Sequence, residues 1–347
     1  MSQIKPPKII IKKGAVDEIP NLLTGLGNFN SLLIVTGKTT HELIGRKIAD
    51  ALTKEGYKIN VANVEECDES TVERIKKESQ GLKPGLIIGI GGGKNIDVAK
   101  AVSYELEIPC FSVPTIPSHD GIASDRAVIS KGKKKYPVVG KLPIAIVADI
   151  EILSKAPFRL FAAGCGDVIA KRTAVLDWQL SRNETGEKYD DFSAKLASSA
   201  ADTIINNSKQ YEKHYKSSVE LLIKALISCG IAMATAKSSR PCSGSEHMFC
   251  HAINFLYPEN KALHGEKVAL GTYIMAFLHN IDYDEIKEAL LSYKLPVNHE
   301  QIQVQPEILV KALSTAHEIR SDRRLTILRD GIKTEEAENI LKKLEVI

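Results

Sequence analysis

The chain has 347 residues and carries 46 Lys and Arg against 43 Asp and Glu, a formal net charge of +3. This length predicts two domains of roughly 150–200 residues each. The nearly even charge argues against a dedicated nucleic-acid or membrane-surface binder and leaves an anionic small molecule as a compatible partner.

Through residue 150, short apolar strands alternate with amphipathic helices. The predicted elements are, in chain order, a strand at 31–36, a helix near 40–55, a strand at 58–64, a helix near 69–79 and a strand at 85–93. This alternation is typical of a mainly parallel sheet covered by helices, here an α/β Rossmann-like N-terminal domain. The basic run KGKKKY at 131–136 predicts a solvated hairpin tip, with an anion contact as the alternative.

Beyond the segment AIVADIEILSKAP at 145–157, strand patterns nearly vanish and long helical stretches run to the end of the chain. The boundary is expected near residues 153–157. We therefore predict a dinucleotide-binding α/β domain at 1–155 and an all-α domain for metal and substrate at 156–347.

Cysteine usage and apolar segments favour a soluble, cytoplasmic protein without membrane insertion. The six cysteines form no CxxC pair and are too sparse for a disulfide scaffold, which is typical of reduced thiols. The N-terminal residues lack the features of a secretory signal, and no run of about 18 uninterrupted apolar residues occurs.

A glycine loop, GIGGGKNIDVAKA at 89–101, follows an apolar strand and opens a helix, where backbone N–H groups and the helix dipole can receive phosphate. Gly91, Gly92 and Gly93 would let the backbone approach a pyrophosphate closely. Lys94 stands where the last glycine of G-x-G-x-x-G belongs, so a tight turn without a ligand remains the alternative.

The first predicted strand ends in IVTGKTT at 34–40, a second turn that could face a nucleotide. An acidic residue at such a turn holds a free ribose 2′-OH, whereas a 2′-phosphate needs a cation and no carboxylate. Gly37 and Lys38 therefore favour NADPH over NADH. The alternative is that Lys38 is an exposed residue at a helix start.

Three helical segments could converge on a metal: AAGCGDVIAKR at 162–172, SRPCSGSEHMFCH at 239–251 and KALHGEKVALGT at 261–272. They offer one carboxylate and two imidazoles, a usual ligand set for a catalytic zinc with one open coordination position. From spacing alone, these residues could equally be a helix-start aspartate and two ordinary histidines.

Five motifs in order, GIGGGKNIDVAK, VPTIPSHDGIAS, AGCGDVIAK, GSEHMFCHA and HGEKVALGT, resemble the superfamily of glycerol dehydrogenase, iron-type alcohol dehydrogenase and dehydroquinate synthase. Within it the chain is most similar to the archaeal sn-glycerol-1-phosphate dehydrogenases. The resemblance runs from about residue 8 to about residue 280. It implies a dehydroquinate synthase-like fold, with the Rossmann-like domain followed by the helical one.

The resemblance implies that Asp167, His247 and His264 bind one zinc ion per subunit. His251, one helical turn beyond His247, matches the second active-site histidine of the family and is expected to face the substrate. It would act as the catalytic proton donor. Asp120 matches the position near the substrate hydroxyls and is the second candidate for that role.

The cofactor residues carried over from the resemblance lie in two motifs. Those on the pyrophosphate side are Gly91, Gly92, Gly93, Lys94 and Asp97, and those near the nicotinamide are Thr115, Ser118 and Ser124. Glycerol dehydrogenases usually carry an aspartate where this chain has Gly37, so strict use of NAD is not expected. Dehydroquinate synthases carry a Glu as first ligand, where this chain has Asp167.

The implied activity is reduction of dihydroxyacetone phosphate to sn-glycerol 1-phosphate by NADPH or NADH, for archaeal membrane phospholipid biosynthesis. Lys171, Arg172, Arg240 and Lys267 are candidates for the substrate phosphate, with Lys171 predicted on the same helix face as Asp167. A glycerol-type polyol dehydrogenase and a dehydroquinate-synthase-like lyase are the rival enzymes, and a non-catalytic nucleotide-binding protein is the third alternative. We also expect a homo-oligomer.

Overall fold

The computed structural model describes residues 7–132, 134–319 and 325–347. The chain divides into two compact units. The first comprises Met1–Pro157 and Tyr215–Gly230, and the second comprises Phe158–His214 and Ile231–Ile347. Pro157 lies within the predicted boundary region, while part of one long helix returns to the first unit. The division of cofactor and substrate between the two domains stays a prediction.

The first unit is built on a parallel sheet, with a separate hairpin. The strands are β1 (Lys8–Lys12), β2 (Ser31–Thr36), β3 (Lys58–Asn63), β4 (Leu86–Gly91), β5 (Cys110–Pro114), β6 (Arg126–Lys131), β7 (Lys134–Val139) and β8 (Ala145–Asp149). Six of these described strands form the sheet in the order β1-β8-β5-β4-β2-β3, and every pairing in it is parallel. β6 and β7 form the antiparallel hairpin predicted around the basic run; residue 133 of that run lies outside the described residues.

Both faces of the sheet are covered, because successive side chains of a strand point to opposite faces. In β2, Leu32 and Ile34 belong to one buried cluster. Leu33 and Val35 belong to another cluster on the other side of the sheet. The nearly continuous apolar run SLLIVT is therefore that of a central strand buried on both faces, as predicted.

The α-helices follow in chain order. They are α1 (Ile19–Thr24), α2 (Lys38–Thr40), α3 (Arg46–Lys54), α4 (Glu69–Leu82), α5 (Gly93–Glu105), α6 (Ile150–Leu153), α7 (Phe158–Ile169), α8 (Lys171–Thr185), α9 (Asp191–Asn207), α10 (Tyr215–Ala236), α11 (Ser245–Leu256), α12 (His264–Leu278), α13 (Tyr283–Ser292), α14 (His299–Ile302), α15 (Pro306–Thr315) and α16 (Thr334–Lys343). The described part of the second unit contains helices and no strand. The predicted fold class, a parallel α/β unit and an all-α unit, is confirmed.

Helix α10 is the one helix in the described ranges that is long and apolar enough to cross a membrane. Of its most apolar 18-residue window, 61% is buried inside the protein. A buried core helix of a soluble protein meets the same criteria of length and composition. The helix is therefore weak support for a membrane span.

Candidate cofactor loop and metal centre

The glycine loop connects β4 to α5 in the first unit. Gly91 ends the strand with φ +142°, a backbone conformation that favours glycine. A Cβ atom at Gly91 would overlap the side chain of Asn95, whose amide donates to the Ile90 carbonyl oxygen at 3.0 Å. The loop conformation therefore excludes a side chain at this point.

Neighbouring turns approach the same loop. The Thr115 N–H, just beyond β5, donates to the Gly91 carbonyl oxygen at 3.0 Å. A Cβ atom at Gly37, just beyond β2, would lie 3.4 Å from the Asn95 amide nitrogen. Because the carboxyl ends of parallel strands form the usual nucleotide crevice of such sheets, these turns delimit a candidate cofactor site within the first unit. The structure thus places Gly37 and Thr115 next to the glycine loop, while their role toward a cofactor stays a prediction.

Other predicted cofactor residues make contacts within the protein. The Lys94 ammonium group donates to the Glu65 carbonyl oxygen. The Asp97 carboxylate accepts from the Val128 N–H at 3.0 Å and forms an ion pair with Lys100 at 2.9 Å. Their roles toward a cofactor remain predictions.

The remaining predicted cofactor residues differ in exposure. Ser124 is fully buried, and its hydroxyl accepts from the Arg126 N–H at 3.3 Å. Ser118 is half-buried, and Lys38 is exposed at the start of α2. An exposed lysine beside Gly37 can contact a ligand without first breaking a buried ion pair.

Lys100 is a positioning residue that the sequence analysis left without a role. Its side chain is completely buried and donates to the carbonyl oxygens of Gly121, at 2.6 Å, and Arg126. It thereby ties α5 to the turn Asp120–Ala123, which begins with the predicted substrate residue Asp120. Because a buried ammonium group needs such partners, this contact fixes the turn in place.

The metal candidates come together in the second unit. One ligand atom from each of Asp167, His247 and His264 lies within 4.8 Å of the other two. The Asp167 Oδ1 atom is 3.7 Å from His247 Nε2 and 4.0 Å from His264 Nε2. The three residues come from α7, α11 and α12, so tertiary packing rather than local spacing assembles them.

This donor set fits a zinc ion. Tetrahedral ligands about 2.0–2.1 Å from zinc lie roughly 3.3 Å apart, so small side-chain movements would close the triangle. Exposure differs sharply among the three side chains: 2% for Asp167, 10% for His247 and 44% for His264. The open side of the triangle is therefore at His264, which is where a fourth ligand could enter.

Lys171 lies directly against the cluster. Its fully buried ammonium group donates to Asp167 Oδ1 at 2.9 Å, although the helix breaks at Ala170 between the two residues. Burial alone would raise the pKa of Asp167, but the Lys171 ammonium group, together with the His264 and His247 rings when they are protonated, outweighs it and holds that pKa below its ordinary value. Asp167 is thus an anion at neutral pH, as a metal ligand must be.

His264 begins helix α12. The Glu266 carboxylate accepts from the Leu263 N–H at 2.7 Å and pairs with Arg159 at 2.5 Å, which fixes the helix start. Desolvation lowers the pKa of His264 well below its ordinary value of 6.5, and the adjacent ring of His247 adds to that shift. Because part of the His264 side chain is exposed, hydration reduces the effect of desolvation. The neighbouring His247 ring still lowers the pKa of His264. A neutral imidazole leaves Nε2 free to bind a metal.

Both candidate imidazoles have a partner at Nδ1, a feature that the sequence analysis missed. His247 Nδ1 lies 2.7 Å from Glu246 Oε1, and His264 Nδ1 lies 3.6 Å from the Cys250 sulfur. His251 is half-buried on α11, one turn beyond His247, and its protonated form would lower the pKa of His264. His251 therefore lies within electrostatic range of the cluster, while its proton-donor role stays a prediction.

The four candidate phosphate cations differ in their surroundings. Arg240 is buried and pairs with Glu187, and Arg172 pairs with Asp202. Lys267 donates to Asn254 Oδ1 at 2.5 Å and follows His264 by one helical turn. Lys171 and Lys267 thus neighbour metal candidates along the chain, while Lys171 and both arginines are engaged by carboxylates.

Comparisons with known proteins first define the class. Residues 10–157 match the family described as iron-containing alcohol dehydrogenase. A solved probable glycerol dehydrogenase from Sinorhizobium meliloti has a TM-score of 0.78 at 23% identity, covering 98% of this chain and 96% of that one. Glycerol dehydrogenase from Schizosaccharomyces pombe has a TM-score of 0.83 at 19% identity, covering 98% and 89%. The fold is that of this dehydrogenase class.

Curated relatives narrow the class to one family. A Methanococcoides burtonii protein is 40% identical over 99% of this chain and 95% of its own length. A Sulfurisphaera tokodaii protein is 43% identical over 99% and 97%. Both are named glycerol-1-phosphate dehydrogenase (NAD(P)+). The chain belongs to the glycerol-1-phosphate dehydrogenase family. The resemblance inferred from the five motifs is confirmed, and with it the class of enzyme, an oxidoreductase.

Proposed function

We propose that the chain reduces dihydroxyacetone phosphate to sn-glycerol 1-phosphate with NADPH or NADH, a step of membrane phospholipid biosynthesis. The observation that carries the proposal is the cluster of Asp167, His247 and His264 in a chain about 40% identical, over 99% of its length, to enzymes of that name. We propose zinc as the metal, one ion per subunit, because a carboxylate and two imidazoles suit it.

The proposed chemistry divides among the residues of the cluster. When bound, zinc supplies an electrophile that stabilises charge developing on the carbonyl oxygen. Asp167, His247 and His264 would hold it, with the open position on the exposed side at His264. His251 would donate the proton that the product alcohol requires, because imidazole titrates near the working pH. Asp120, with a relayed water, is the second candidate donor.

The first unit would bind the nicotinamide cofactor, which donates the hydride. Gly91, Gly92 and Gly93 would receive the cofactor pyrophosphate at the start of α5, with Lys94 and Asp97 on the same side. Thr115, Ser118 and Ser124 would lie toward the nicotinamide. Lys38, exposed beside Gly37, favours a cofactor with a 2′-phosphate because it can donate a charge-assisted hydrogen bond.

The substrate phosphate needs cations, and Lys171 and Lys267 are the preferred candidates. Each belongs to a helix that starts or ends beside a proposed metal ligand. Arg172 and Arg240 would first have to leave their carboxylate partners, and so would Lys171, which pairs with Asp167. Binding the remote phosphate would position the ketone for hydride transfer.

Oxidation of NADPH by zinc-loaded protein tests the proposal when dihydroxyacetone phosphate is compared with dihydroxyacetone. Two or three charge-assisted contacts of roughly 1.5–3 kcal/mol each imply a preference of at least about 10³-fold in kcat/KM for the phosphorylated ketone. Equal efficiency on the two ketones would favour a polyol dehydrogenase. Absence of net cofactor oxidation with either ketone would favour a lyase.

The proposal extends to the setting of the enzyme. A small-molecule substrate, sparse cysteines and a balanced charge are compatible with a cytoplasmic enzyme. The six cysteines are all thiols outside disulfides in the structure, and all except Cys67 are buried. We keep the homo-oligomer as a prediction, to be checked by light scattering.

A further inference from the structure

Glu246 is a buried acidic residue that immediately precedes the proposed metal ligand His247. It has no exposed surface, and its two oxygens accept from three donors. Oε1 accepts from the Gly244 N–H at 2.7 Å and lies 2.7 Å from His247 Nδ1, while Oε2 accepts from the Thr173 hydroxyl at 2.9 Å. Donors from the turn just before α11 and from α8 therefore hold the carboxylate in one orientation.

This contact selects a tautomer of His247. A carboxylate offers only acceptors, so the imidazole must carry its proton on Nδ1 to make the hydrogen bond. The lone pair is then on Nε2, the atom that lies 3.7 Å from Asp167 Oδ1 in the cluster. Metal-binding histidines usually donate their other N–H to such a partner, which also raises the basicity of the ligand.

Glu246 also changes the charge of the site. Lys171 pairs with Asp167 at 2.9 Å and cancels the negative charge of this ligand at short range. Without Glu246, the groups around a bound divalent cation would then be almost neutral in total charge. The carboxylate of Glu246, one imidazole away, restores a negative charge that favours a bound cation.

We propose that Glu246 is a positioning residue that holds the Nδ1–H tautomer of His247 and, through its negative charge, strengthens metal binding. The inference rests on the proposed metal site. His264 differs, because its Nδ1 partner is the weakly polar sulfur of Cys250 at 3.6 Å. The strong carboxylate partner thus belongs to the more buried of the two imidazoles.

The test is Glu246→Gln, with metal affinity measured by competition against a chromophoric chelator using Zn²⁺ and Co²⁺. The glutamine oxygen can still accept from His247 and Gly244, with its amide directed to the Thr173 hydroxyl, so shape is largely kept while the charge is lost. We expect the dissociation constant for either metal to rise about 10–100-fold, the usual cost of losing such a partner.

Asp177→Asn is the matched control. Asp177 is another fully buried carboxylate, and it accepts from Ser245 N–H at 2.6 Å at the start of the same helix, from His279 and from the Ile327 N–H. We expect both variants to lower the thermal unfolding temperature, and only Glu246→Gln to weaken metal binding. Equal affinities in wild type and Glu246→Gln, or equal losses in both variants, would reject the contribution of the Glu246 charge to metal binding.

A measurement on the wild type tests the tautomer of His247 directly and does not depend on the folding of a variant. In ¹⁵N-histidine spectra of the zinc-loaded protein, we expect one imidazole with a metal-bound Nε2 and a strongly deshielded, exchange-protected Nδ1–H. If zinc binds and this resonance is absent, the role of Glu246 is wrong. If the wild type binds no zinc at all, the metal site itself is wrong.

Discussion

The glycine loop of the first unit and the metal cluster of the second are built in opposite ways. The loop is made of backbone, and its conformation at Gly91 excludes a side chain. The cluster is made of side chains from three helices, and the backbone only positions them. Adding an atom should therefore damage the loop, whereas removing atoms should damage the cluster. Because each feature lies within its own unit, the two kinds of damage should be separable in binding measurements.

The largest effect is expected from His264→Ala. Removing one of three proposed ligands should empty the metal site, at a cost of several kcal/mol in transition-state stabilisation, on the order of 10⁴-fold in kcat/KM. Cofactor affinity, measured by fluorescence titration, should stay unchanged because the loop keeps its structure. Wild-type turnover in this variant would show that the cluster in the second unit is not a catalytic metal site.

His251→Ala should impair catalysis and leave the metal bound. A residue one turn beyond a ligand shares its helix face, and loss of a general acid typically costs about 10²–10⁴-fold. Zinc content by elemental analysis should be near that of the wild type. Stoichiometric loss of zinc would instead make His251 a ligand or a support of one.

Gly91→Ala is the complementary change in the loop. The added methyl group would overlap Asn95 at a φ that L-residues rarely adopt, so the loop must shift. Strain of about 1–3 kcal/mol predicts a roughly 10–100-fold loss of cofactor affinity with unchanged zinc binding. Gly132→Ala is the control, since this glycine also has positive φ and no atom within 4 Å of the added methyl group. Equal losses in the two variants would mean that the loop is not the cofactor site.

Lys38→Ala should have the narrowest effect, because it should weaken the binding of only one of the two cofactors. If Lys38 contacts a 2′-phosphate, its loss should raise KM for NADPH relative to NADH by one charge-assisted hydrogen bond, about 1.5–3 kcal/mol. Lys54→Ala, another exposed lysine of the first unit, should leave the ratio of the two KM values unchanged. Equal changes for both cofactors in Lys38→Ala would show that Lys38 does not distinguish them.

Much of the fold could be predicted from local sequence patterns. The strands predicted at 31–36, 58–64 and 85–93 are present as Ser31–Thr36, Lys58–Asn63 and Leu86–Gly91. Strand Lys8–Lys12 was not predicted, because its lysines and half-exposed surface hide the apolar run. The strand order was not predictable either, since it depends on packing between segments distant in sequence.

The residues of the candidate site likewise differ in how far they could be predicted from the sequence. The three segments suggested Asp167, His247 and His264 as metal ligands, but only the family motifs favoured this reading over an ordinary aspartate and two ordinary histidines, because spacing could not show that three helices converge. Glu246 was missed because adjacent residues on a helix do not normally face each other. It reaches His247 from the first turn of α11, where its carboxylate turns back toward the Gly244 N–H. Lys100 was missed because a buried lysine has no signature in sequence.

Metal removal and reloading test the central claim most directly. A chelator-treated, verified metal-free preparation should lose turnover of dihydroxyacetone phosphate and keep its affinity for NADPH, and one equivalent of zinc per subunit should restore turnover. Full turnover in the metal-free protein would contradict the assignment of Asp167, His247 and His264 as a catalytic metal site.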